Sequence, residues 1–139
     1  MTNPVGVWKL LDSVEINAQT GGISRPRGNH PSGILIYSIG GSMCAIVTAE
    51  GRAPLETDLE KYTMSSSKLF HSLNSYGGTY QVNGNKITHK VQVASNPAWI
   101  GTDQIRSFQC NEDILIIDAT ITLPGQDATM VRLTWQRVE

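Results

Sequence analysis

The sequence predicts an all-β fold, an eight-stranded antiparallel β-barrel with one inserted amphipathic helix covering an end. Three observations carry this reading. Short β-branched and aromatic runs separated by turn residues fill most of the chain. One segment alone, 57–76, follows a helical period. Eight meandering strands also close naturally into a barrel whose interior can hold one small ligand. At 139 residues, 40% of them hydrophobic, the chain is expected to form one domain over 1–139 with one substantial core.

The strands are expected at 5–16, 33–39, 42–49, 79–82, 86–94, 104–110, 114–123 and 129–138. Gly40-Gly41, Asn83-Gly84-Asn85 and Asn111-Glu112-Asp113 make tight connections between them. Between the first two strands, residues 17–32 hold Gly21-Gly22, Pro26, Gly28 and Pro31, which set turns rather than strands. A connection of this length is often a lid or mouth element. In the segment 57–76, Leu59, Tyr62, Leu69, Phe70, Leu73 and Tyr76 recur at helical spacing; Thr57 with Glu60 forms a capping-box pattern and Gly77-Gly78 follows the last apolar position. Ser65-Ser66-Ser67 weakens the middle, so a frayed or broken helix is expected there.

Composition excludes several function classes. A formal net charge of −1, with the basic residues scattered, offers no patch to neutralise phosphates, so neither nucleic acid nor an anionic membrane is an expected partner. No apolar run approaches the roughly 20 residues that span a bilayer, and Met1-Thr2-Asn3-Pro4 lacks the blocks of a signal peptide, so a cytoplasmic location is expected. Cys44 and Cys110 lie in strands without CxxC or Cys/His spacing and read as buried reduced thiols. The three histidines, His30, His71 and His89, have no metal-ligand spacing, and there is no glycine-rich phosphate loop and no G-x-S-x-G; neither metal nor cofactor is expected.

Several stretches carry a family likeness. Gly6-Val7-Trp8 reads like the G-x-W of a lipocalin first strand, and Arg137, in Trp135-Gln136-Arg137, like the arginine that stacks near that tryptophan. Gly33-Ile34-Leu35-Ile36-Tyr37 followed by Gly41-Ser42-Met43, then Tyr76-Gly77-Gly78-Thr79-Tyr80, Thr88-His89-Lys90-Val91 and Pro97-Ala98-Trp99-Ile100-Gly101-Thr102 leading into Gln104-Ile105-Arg106-Ser107-Phe108 extend the match over almost the full length. The chain thus resembles the lipocalin-like domain family of small bacterial and fungal proteins. That resemblance implies a barrel with a ligand cavity; some lipocalin-like proteins of natural-product pathways are cyclases or isomerases. The polar turn usual in the family is replaced here by Ser38-Ile39-Gly40.

Strand side chains alternate between faces, so polar residues sharing the parity of an apolar set point into the barrel. Ile87, Val91 and Val93 share parity with His89; Phe108 and Cys110 with Arg106 and Gln104; Leu35 and Ile39 with Tyr37; Val82 with Tyr80; Val131 and Leu133 with Trp135. An imidazole, a guanidinium and two phenols facing an apolar interior must bond each other, water or a ligand, because an unpartnered buried polar group costs roughly 1–3 kcal/mol. The two readings are a satisfied core network and a cluster of His89, Arg106, Tyr37 and Tyr80 that orients a ligand. His89 and Arg106 are the candidate catalytic residues, as an acid–base group and as a holder of a carboxylate, enolate or oxyanion. Tyr37, Met43, Tyr80, Trp99, Phe108 and Trp135 are the candidate ligand contacts. Asp118 has an ambiguous face, His71 falls on the solvated side of the helix, and His30 lies in the long connection, where a solvated loop position and a place at the mouth are the two readings. Trp8 and Arg137 are assigned to structure, a guanidinium over an indole closing the base.

The first functional expectation is a protein that binds a small apolar metabolite inside the barrel. The alternative is a cofactor-free cyclase, isomerase or epoxide-opening enzyme acting on a hydrophobic intermediate. A small interaction domain with a filled barrel is the third reading. The expected partner is a small apolar ligand, and a homodimer stays open.

Overall fold

The computed structural model describes residues 3–52, 66–122 and 124–139. Its elements follow in the order β1 (Gly6–Asn17), β2 (Ile23–Ser24), β3 (Ser32–Tyr37), β4 (Ser42–Thr48), α1 (Ser66–His71), β5 (Leu73–Asn83), β6 (Lys86–Ala94), a short 3-10 turn (Pro97–Trp99), β7 (Asp103–Cys110), β8 (Ile114–Ile121) and β9 (Thr129–Arg137). Neighbouring strands pair antiparallel from β1 through β3 to β9, and β9 returns to β1 between Trp8↔Arg137 and Asn17↔Thr129. The sheet is therefore a closed eight-stranded antiparallel barrel, and closure removes the free edges that would otherwise template aggregation. The two-residue β2 is an extra strand on β1, through Glu15↔Ser24 and Ile16↔Ile23.

Alternation decides which residues form the core. On β3, Leu35 and Tyr37 are buried and Ile34 and Ile36 exposed; on β4, Met43, Ala45 and Val47 are buried. Ile87, Phe108, Cys110, Leu115, Ile117 and Trp135 extend the same cluster around the barrel. Two bulges reset the alternation. The register shifts between Leu10 and Asp12 on β1, so the inward set passes from Trp8 and Leu10 to Ser13. A second shift between Gly77 and Gly78 on β5 lets β5 and β6 cross closely, and a side chain at Gly78 would collide with the Lys90 carbonyl oxygen.

The base is closed as the sequence predicts. The Arg137 guanidinium stacks 4.2 Å above the Trp8 ring and donates to the carbonyls of Val5 (2.7 Å), Asn3 (3.3 Å) and Glu112 (2.5 Å), while Trp8 Nε1 donates to Pro4 O at 2.9 Å. Gly6 has φ +142°, and a side chain there would collide with Glu139 O and come within 2.7 Å of Arg137 Nη1. Backbone conformation and close approach both call for glycine in the G-x-W stretch.

Several expectations change. The described helix is only Ser66–His71; the predicted start at Thr57 lies outside the described residues, and Leu73 to Tyr76 belong to β5, where pairing with β4 from Thr48↔Leu73 to Ala45↔Tyr76 overrides the helical spacing. The strand expected at 79–82 accordingly starts at Leu73, and Phe70, expected on an apolar stripe, is exposed. Cys44 is exposed, not buried, because its neighbours Met43 and Ala45 take the inward face; Cys110 is buried, and both thiols are free. Val93 is exposed because the Gly77/Gly78 bulge resets β6 beyond Val91. Ile39 is exposed because β3 ends at Tyr37. The 17–32 connection, expected to hold turns alone, contains β2. No described helix is long and apolar enough to cross a membrane.

Candidate functional site

The barrel encloses a cavity of about 390 Å³. Its apolar wall comes from Leu35 on β3, Ala45 and Val47 on β4, Ile117, Ala119 and Ile121 on β8, and Val131, Leu133 and Trp135 on β9. Its polar wall comes from Glu15, Arg27, Asn74, Tyr76, His89, Gln104, Arg106 and Thr120, with Trp99 from the 3-10 turn. That mix, mostly apolar with a few convergent polar groups, is the usual make-up of a small-molecule site.

His89 anchors the polar side. Its Nε2 lies 2.5 Å from the Tyr37 hydroxyl and its Nδ1 lies 2.8 Å from the Tyr76 hydroxyl, so both ring nitrogens are engaged. Burial, reinforced by the positive charge of Arg106, lowers its pKa from 6.5 to about 3, so the imidazole is neutral at physiological pH. Burial likewise raises the pKa of Tyr37 and of Tyr76, against the opposing pull of Arg106. Both phenols stay protonated.

Satisfaction of buried donors fixes the direction of these bonds. The buried Tyr37 hydroxyl has His89 Nε2 as its hydrogen-bond partner among the described residues, so its proton points to that nitrogen. Nε2 is then an acceptor, and the neutral ring carries its proton on Nδ1, which donates to the Tyr76 oxygen. The proton of Tyr76 is left free to turn into the cavity.

Arg106 sits on β7 in the register opposite Ile87, with His89 opposite Gln104, so the two candidate catalytic residues come from adjacent strands and face one cavity. They do not bond each other. Arg106 donates to Gln104 Oε1 at 3.2 Å and to Ile105 O at 3.1 Å, and lies 5.9 Å from the Trp99 ring centroid. Gln104 Nε2 donates to Thr102 Oγ1 (2.8 Å), which donates to Trp99 O (2.6 Å), a chain that holds the guanidinium beside the indole. Among the described residues no carboxylate pairs with Arg106. Trp135 is buried in the wall, and its Nε1 has no hydrogen-bond partner among the described residues.

The remaining candidates fall into two groups. Trp99 and Trp135 line the cavity. Tyr37, Met43 and Phe108 belong to the packed core, and Tyr80, whose hydroxyl donates to Ser38 O at 2.6 Å, packs against that core with its ring 4.7 Å from Tyr37; none of the four is in the cavity wall. Asp118 faces away, held by Arg132 at 2.8 and 2.9 Å. His30 and His71 are exposed, and neither lines the cavity.

Sequence reasoning missed Tyr76, Glu15 and Arg27. The helical spacing of 57–76 claims Tyr76, although it shares parity with Gly78 and Tyr80. Arg27 reaches back from the long connection to donate to Ser13 Oγ at 3.1 Å, and burial lowers its pKa against the opposing effect of Glu15. No signal in the sequence points a loop arginine inward.

No curated protein matches the chain at a significant level. A family model described as a lipocalin-like domain matches residues 5–138. Nearly the whole barrel, with the indole–guanidinium base and the enclosed cavity, lies within that match, and the chain belongs to the lipocalin-like domain family.

Proposed function

We propose that this protein binds one small apolar molecule inside its barrel. The observation that carries the reading is the cavity of about 390 Å³, within the usual range of about 300–1,000 Å³ for ligand sites, walled by aliphatic side chains from β3, β4, β8 and β9. A barrel interior filled by its own side chains would leave no such space.

His89 supports binding over acid–base catalysis. A group that exchanges protons in a reaction works best with a pKa near the operating pH, and His89, pushed down to about 3 and bonded at both nitrogens, is tuned for positioning. Titration with the neutral apolar dye N-phenyl-1-naphthylamine tests the proposal. Saturation at one molecule per chain, with quenching of tryptophan emission through Trp99 and Trp135, is the expected result. Saturation at several sites, or none, overturns it.

A further inference from the structure

We propose that the ligand of this cavity is an apolar carboxylate, its anionic head received by Arg106 and Tyr76. This inference rests on the ligand-binding reading above and adds the chemistry of the head group.

The argument is one of unmatched donors. Tyr76 accepts from His89, so its own proton is available to the cavity, and the buried Tyr37 hydroxyl behind His89 holds that direction in place. Arg106 has only neutral oxygens as partners, Gln104 Oε1 and Ile105 O, and its other N–H groups are unengaged among the described residues. Two side chains on two strands, Tyr76 on β5 and Arg106 on β7, therefore bring unengaged hydrogens to one cavity.

Charge decides between an anionic and a neutral acceptor. Among the described lining residues Arg27 and Arg106 bring two positive charges, Glu15 brings one negative charge that acts on Arg27, and His89 is uncharged. Among the described residues the cavity wall is left with one positive charge that no carboxylate pairs with. A half-buried guanidinium without a carboxylate neighbour is best matched by a ligand carboxylate, whose planar oxygens accept its parallel N–H groups.

The test is displacement of N-phenyl-1-naphthylamine at pH 7 by three ten-carbon probes, decanoate, decan-1-ol and methyl decanoate. Decanoate is expected to displace the dye at least tenfold more effectively than either neutral probe. Arg106→Gln is expected to reduce that ratio at least tenfold, and Tyr76→Phe to reduce it several-fold. Equal displacement by decanoate and decan-1-ol in the wild-type protein overturns the proposal while leaving the apolar-ligand reading intact. Methyl decanoate matching decanoate also overturns it, since a neutral carbonyl would then suffice, and so does a preference that survives Arg106→Gln. The wild-type comparison decides even if a variant folds poorly. Failure of the dye itself to bind would instead remove the reading on which this one rests.

Discussion

His89 is the residue whose chemistry the sequence least prepares one for. The strand period places it inward beside Ile87 and Val91, and it is buried as that period requires. The same period gives no hint that phenols engage both its nitrogens, because Tyr37 is three strands away around the barrel and Tyr76 is hidden in an apparent helical repeat. A pH prediction follows from its environment. The folded-state pKa of about 3 lies below the ordinary 6.5, so between these values the unfolded chain binds a proton that the folded chain refuses. Stability is unaffected by this group above pH 6.5 and falls as pH drops toward 3. Between pH 6.5 and 4.5 the loss is on the order of 2 kcal/mol. Denaturant midpoints at several pH values should show His89→Gln losing less stability over this interval than the wild type, and parallel curves would remove the buried neutral imidazole from the account.

At the scale of elements, the two bulges explain both what could be read and what could not. Unbroken alternation on β3, β4 and β7 makes Leu35, Tyr37, Phe108 and Arg106 legible from parity alone. On β1 the shift between Leu10 and Asp12 moves the inward set from even to odd positions, so Glu15 enters the cavity wall against the count begun at Trp8. On β5 the Gly77/Gly78 shift lets Val93 escape to solvent. Gly78→Ala should destabilise the protein by about 2 kcal/mol, because the new methyl group meets the backbone oxygen of Lys90, which cannot move without breaking the β5–β6 ladder. Chemical denaturation measures it, and a neutral substitution would mean the crossing is looser than described. The β1–β9 closure gives a complementary prediction. Arg137→Ala removes the stack on Trp8 and three bonds to backbone carbonyls, so it should cost about 1–3 kcal/mol of stability. Affinity for N-phenyl-1-naphthylamine should hardly change, since neither Trp8 nor Arg137 lines the cavity. Lost binding at unchanged stability would contradict the separation of base and cavity.

For the whole molecule, the barrel was legible because eight turn-separated runs with the first and last carrying the indole and guanidinium leave few other closures. The cavity was not legible, because an empty interior and a filled one share the same alternating pattern; side-chain volumes around the ring decide it, and small residues such as Ala45 and Ala119 leave the space. Filling that space is the most direct test of the central claim. Ala119→Phe places a ring in the cavity from the wall of β8. The measurement is a titration of N-phenyl-1-naphthylamine into wild type and Ala119→Phe, with thermal melts alongside. The account predicts one-to-one binding to the wild type, weakened at least tenfold (about 1.4 kcal/mol) in a variant that still melts cooperatively. Undiminished binding to the folded variant would place the ligand outside the barrel and contradict it.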